Sequence, residues 1–156
     1  GNDDDGRELQ RSLEPGELDQ DMINSARFLK AHELSSGQLG ATGFCWGGGM
    51  TNRLAAVLGS DLQAGVPFYG ASVSAEDVVS IEAAIMINYA GTDPRINSMW
   101  SDYESALKAN DVNYTMHIYE GTLHGFHNNS TPRYNKPAAD LAWNRTVGFF
   151  REHLAG

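Results

Sequence analysis

The sequence predicts an open α/β fold, a mostly parallel sheet with helices on both faces, on three grounds. Short apolar runs at Gly65–Tyr69 and Ala83–Ala90 are bounded by turn residues, the pattern of strands covered on both sides. Segments with helical periodicity alternate with these runs and give the order α-β-α-β-β-α-β-α. A glycine-rich turn joins one strand to the helix after it, and open sheets of this kind place their sites at the carboxyl ends of the strands.

Element by element, Leu18, Met22, Ala26 and Leu29 recur at helical spacing between Pro15 and about His32, with Pro15 suited to the first turn and Gly37 to the exit. Leu39–Phe44 reads as a strand, and Met50, Leu54, Ala55, Val57 and Leu58 as the buried stripe of the helix beyond it. Met99, Tyr103, Ala106 and Leu107 mark another helix, Tyr114–Tyr119 a further strand, and Leu141, Ala142, Arg145, Phe149 and Phe150 one face of a last helix.

The 156 residues fit one globular domain. Residues 1–14 read as an acidic tail open to disorder, and 15–156 as the folded domain. With 20 acidic and 11 basic residues the formal charge is −9, which offers no basic surface to a nucleic acid. No apolar stretch has the length of a membrane span, and the start Gly-Asn-Asp-Asp-Asp-Gly is the reverse of a signal peptide. One cysteine cannot form an internal disulfide, which agrees with a reducing compartment. A cytoplasmic location is expected, with no nucleic-acid and no membrane partner.

Gly43-Phe44-Cys45-Trp46-Gly47 has the Gly-x-nucleophile-x-Gly frame of a nucleophile elbow, with Cys where serine hydrolases place Ser. The flanking glycines relieve crowding, and the helix that follows aims free N–H groups at Cys45, a placement that favours thiolate. The Trp46 backbone N–H would serve an oxyanion. An isolated cysteine is ordinarily a small buried hydrophobe; the strand-elbow-helix context is what points to a nucleophile. No phosphate-loop pattern can be read through Gly47-Gly48-Gly49.

Asp93 follows the apolar strand in Gly91-Thr92-Asp93-Pro94, and His124 follows the next one in Gly121-Thr122-Leu123-His124-Gly125. Taken singly, Asp93 reads as a turn or cap residue and His124 as an ordinary loop histidine. Their order is the stronger argument: nucleophile, acid, histidine, each after a successive strand, is the order of α/β-hydrolases. His127 lacks a nearby carboxylate or cysteine for metal binding and reads as loop packing. His117 and His32 read as exposed polar residues.

Gly43-Phe44-Cys45-Trp46-Gly47-Gly48, Gly91-Thr92-Asp93 and Tyr119-Glu120-Gly121-Thr122-Leu123-His124-Gly125-Phe126 together resemble the dienelactone hydrolase (carboxymethylenebutenolidase) family. The likeness continues through Arg133-Tyr134, Ala138-Ala139 and Ala142-Trp143 to Phe149-Phe150. It implies the C-terminal portion of an α/β-hydrolase fold lacking the early strands, with Cys45 as nucleophile, Asp93 as acid, His124 as base and no cofactor or metal. Family domains are longer at the N-terminus, where a second oxyanion donor and substrate-carboxylate contacts normally originate. A hydroxyl residue is also expected after the catalytic histidine, where this chain has Gly125. The short sheet leads to an expected homo-oligomer or partner fragment over its edge.

The working mechanism is acyl transfer from a small-molecule ester or lactone to Cys45, then hydrolysis of the thioester. Two rivals stay open: a non-catalytic remnant serving assembly or binding, and a redox-sensing Cys45.

Overall fold

A computed structural model describes residues 2–155. The chain runs α1 (Asp3–Ser12), α2 (Pro15–Ala31), β1 (Gly40–Phe44), α3 (Trp46–Leu58), β2 (Ala64–Phe68), α4 (Ala75–Val78), β3 (Ala84–Thr92), α5 (Pro94–Asn97), α6 (Trp100–Ala109), β4 (Tyr114–Leu123) and α7 (Lys136–Leu154). The four strands form one parallel sheet in the order β1-β2-β3-β4, so β1 and β4 are its edges. The adjacent strands expected between residues 65 and 90 are β2 and β3, separated by the single turn α4.

Side-chain alternation along β3 explains the layering. Ile85, Ile87 and Tyr89 join the core under α2, α3 and α6, whereas Met86 and Ala90 join the core under α7 with Val66, Phe68 and Ala142. Strands buried on both faces need apolar residues at every position, and β2 and most of β3 have them. Helix α3 buries Met50, Leu54, Ala55 and Leu58 of its expected stripe and leaves Val57 half-buried.

Three expectations change. The acidic tail is helical as well as solvated: the Asn2 side chain accepts from the N–H groups of Asp4 and Asp5, both at 2.9 Å, and starts α1. Periodicity overstated two helix faces, since Leu29 of α2 and Leu141 of α7 are exposed while Ile23, Ala26, Ala139 and Ala142 are buried. The last strand continues four residues past Tyr119 to Leu123, through Gly121 at φ 71° and beside a register shift against β3 between Ala90 and Thr92.

At the turn after β1 the glycines are not equivalent. A Cβ on Gly43 would lie 2.1 Å from the Gly47 carbonyl oxygen, and one on Gly48 would lie 2.5 Å from the Phe68 oxygen. A Cβ on Gly47 would meet nothing within 4 Å, which corrects the expectation that both flanking glycines relieve crowding. Gly43→Ala is therefore expected to lose about 2–3 kcal/mol or to prevent folding. Gly47→Ala should stay within about 1 kcal/mol of the parent. Thermal and urea unfolding of the two variants measures the contrast.

Candidate active site

Cys45 follows β1 directly with φ 55° and ψ −115°. A non-glycine residue held at positive φ costs on the order of 1–3 kcal/mol and persists only where its surroundings over-determine it. Here the Cys45 N–H donates to the Phe68 carbonyl of β2 at 3.1 Å, while its own carbonyl accepts from Gly49 at 3.2 Å and opens α3. The residue is thus gripped by the sheet on one side and the helix on the other. Its thiol is exposed. Trp46 is the first residue of α3, so its N–H has no acceptor inside the helix, and its side chain projects into solvent.

Asp93 sits just past β3, buried, at the N-cap of α5. One carboxylate oxygen accepts from the Ile96 N–H at 3.4 Å; the other accepts from His124 Nδ1 at 2.5 Å. The cap role and the acid role expected as alternatives are filled at once by the two oxygens. His124 follows β4 immediately, so strands β3 and β4 deliver both partners to the same sheet edge as Cys45. A carboxylate only accepts, so the bond assigns the proton to Nδ1 and leaves Nε2 for a reactant.

The surroundings push the Cys45 thiol above its ordinary pKa. Lost solvation is the largest cause, Arg133 and then Arg95 pull the other way, and Asp93 adds to the rise. This direction runs against the expected thiolate: the two guanidinium groups do not offset desolvation.

A cavity of about 300 Å³ opens at the sulfur, lined by Phe44, Cys45, Tyr69, Gly125, His127 and Arg133. Gly125, where the family likeness leads to a hydroxyl residue, has φ 86°, a backbone conformation that strains any side chain, although a Cβ there would make only an ordinary contact, 3.7 Å from the Arg133 guanidinium. His127 packs in the loop as expected, with its ring 5.0 Å from Phe44, 5.3 Å from Phe68 and 5.9 Å from Trp143, and burial lowers its pKa. His117 and His32 are half-buried, not exposed.

Sequence reasoning assigned no role to Tyr69, Arg95 or Arg133. Tyr69 and Arg95 follow β2 and β3 at the carboxyl edge, so the rule that located Asp93 and His124 would have found them. Arg133 lies nine residues beyond His124 and is brought back only by the loop between β4 and α7.

A cysteine elbow, a buried carboxylate and a histidine, in that chain order along one edge of a parallel sheet, define the α/β-hydrolase class. The model of the dienelactone hydrolase family matches residues 3–154, and the chain belongs to that family. A Saccharolobus solfataricus protein named provisionally as a carboxymethylenebutenolidase is 35% identical over 138 residues, covering 85% of this chain and 52% of that relative. A Bradyrhizobium protein named provisionally as a 2-oxo-3-(5-oxofuran-2-ylidene)propanoate lactonase is 30% identical, covering 93% and 63% respectively. Among solved structures, dienelactone hydrolase from Anabaena variabilis superposes with a TM-score of 0.73 at 19% identity, over 93% of this chain and 64% of that one. The chain spans about half to two thirds of the length of these relatives. Among the described residues, no helix is long and apolar enough to cross a membrane.

Two outcomes follow from the geometry. Alkylation of Cys45, the only cysteine, should rise with pH around a midpoint above that of an ordinary cysteine, because burial raises the thiol; Arg133→Gln should move it higher still, because a positive charge that favours the thiolate is lost. Iodoacetamide labelling rates against pH give both values. Asp93→Ala should cost about 1 kcal/mol through the lost α5 cap alone, whereas Asp93→Asn, which can still cap, should cost less in urea unfolding.

Proposed function

We propose that the chain hydrolyses activated carboxylic esters or lactones, with Cys45 as nucleophile, His124 as base, Asp93 as the orienting acid and the Trp46 N–H as an oxyanion donor. The observation that carries this reading is the contact of buried Asp93 with half-buried His124 at 2.5 Å, at the same strand edge as the elbow cysteine. The lactonase name of the Bradyrhizobium relative supports a lactone or ester as substrate class.

With the Cys45 thiol pushed up by burial, His124 Nε2 takes its proton as the sulfur bonds to the carbonyl carbon. Asp93 keeps the imidazole in the Nδ1–H form and offsets the imidazolium charge. The tetrahedral oxygen takes a hydrogen bond from the Trp46 N–H, a donor worth about a hundredfold to a thousandfold in rate. The C–O bond then breaks, and the departing alkoxide takes the proton from His124. Water, deprotonated by His124, attacks the thioester; the C–S bond breaks, the acid leaves, and the sulfur recovers its proton. Because a thiolate is also a good leaving group, strained or activated esters and lactones suit this site better than amides.

One observation favours the rival of an inactive chain that serves assembly or binding: the thiol is pushed up, not down. Turnover of p-nitrophenyl acetate by the parent, Cys45→Ala and His124→Ala decides between them. Both variants should lose at least about a hundredfold in kcat/KM, and an acetyl adduct on Cys45 should be trapped at low pH by mass spectrometry. Turnover that survives Cys45→Ala would refute the nucleophile assignment; no turnover by the parent would favour the inactive chain.

A further inference from the structure

Tyr69 breaks the alternation of its strand. Val66 and Phe68 of β2 face the core under α7, so an extended residue 69 would point to the opposite side; Tyr69 instead joins the same cluster as Val66 and Phe68. The cause is a backbone turned to φ 36°, a region that bulky residues rarely enter, at a cost of about 1–3 kcal/mol.

Two contacts enforce that turn. The Tyr69 N–H donates to the Asn88 carbonyl of β3 at 2.7 Å. The next residue, Gly70, lies so close to the first turn of α3 that a Cβ there would stand 2.2 Å from the Gly48 carbonyl carbon. The register pairs Phe44 with Phe68, so Cys45 and Tyr69 are the residues just past the paired ends of adjacent strands, and both hold positive φ.

The redirected ring is 1% exposed and lies between the end of β1 and the loop after β4. Its centroid is 4.9 Å from that of His124 at an interplanar angle of 57°, and 5.4 Å from Phe126. Its oxygen lies near the His127 backbone amide and Cys45; burial pushes the phenol well above its ordinary pKa, so Tyr69 stays neutral and adds no charge beside the sulfur.

We propose that Tyr69 is a positioning residue of this site, whose ring seats the His124 imidazole and sets its plane toward Cys45. The inference rests on the reading of Cys45 and His124 as a catalytic pair. The imidazole is held at Cγ by its own side chain and at Nδ1 by Asp93, which leaves rocking of the Nε2 end to be limited by packing. The Tyr69 ring, packed against the imidazole at a tilt, restrains that rocking, and misplacement by about 1 Å at such a site costs about a hundredfold in rate. The charged groups acting on Cys45 are Arg133, Arg95 and Asp93.

The test compares the parent, Y69F, Y69L, H124A and the double variant Y69L/H124A by p-nitrophenyl acetate kinetics, by Cys45 alkylation against pH and by thermal unfolding. Y69L should lose about 10- to 100-fold in kcat, with KM changed by less than about threefold. Its alkylation profile should move toward that of H124A, and the double variant should lose no more than H124A alone. Y69F, which keeps the ring, should recover most of the kcat lost in Y69L. A Y69L protein that unfolds earlier yet keeps the parent profile and kcat would show Tyr69 to be core packing alone and overturn the proposal. If parent and H124A profiles coincide, the Cys45–His124 reading itself fails and the proposal falls with it. Should Y69L not fold, proton NMR of the parent decides: a His124 ring signal displaced by the Tyr69 ring current supports the seat, and one at its free-histidine position overturns it.

Discussion

A backbone contact without side chains governs this site. The end of β1, the first turn of α3 and the residues after β2 approach one another so closely that Gly43, Gly48 and Gly70 have no room for a Cβ. That approach bends the chain at Cys45 and at Tyr69 into positive φ and presents both at the carboxyl edge of the sheet. The strain at each residue is small beside the burial of β2 and β3, so the sheet can hold it.

The rest of the site is attached to this bend by polar groups that serve two purposes. Asp93 caps α5 with one oxygen and holds His124 with the other. A buried carboxylate without such partners would be costly, and these two bonds satisfy it. Cys45 is placed among opposing influences, with desolvation and Asp93 favouring the thiol and the two arginines favouring the thiolate. The net of these influences pushes the thiol up.

Where sequence reasoning and structure part, the physics is local in one case and collective in the other. Asn2 and Asp5 form a capping box that starts a helix in a segment whose charge alone reads as a tail. Leu29 sits on the expected helical stripe yet remains exposed, because burial depends on what lies opposite and not on period. The pKa of Cys45 departs from expectation for the second reason: a helix N-terminus can be read from sequence, whereas the solvent a thiol loses cannot.

The sequence by itself determined the alternation of strands and helices, the elbow at Gly43–Gly47, and the chain order of Cys45, Asp93 and His124, because glycine spacing, periodicity and strand ends are properties of neighbouring residues. Only the tertiary structure decided that Asp93 reaches His124 while still capping α5, that Arg95 and Arg133 stand near Cys45, and that Tyr69 turns its ring onto the imidazole. Those relations join residues from different strands and loops, and their distances are set by how the strands register and how tightly α3 sits on the sheet, which no single stretch of sequence contains.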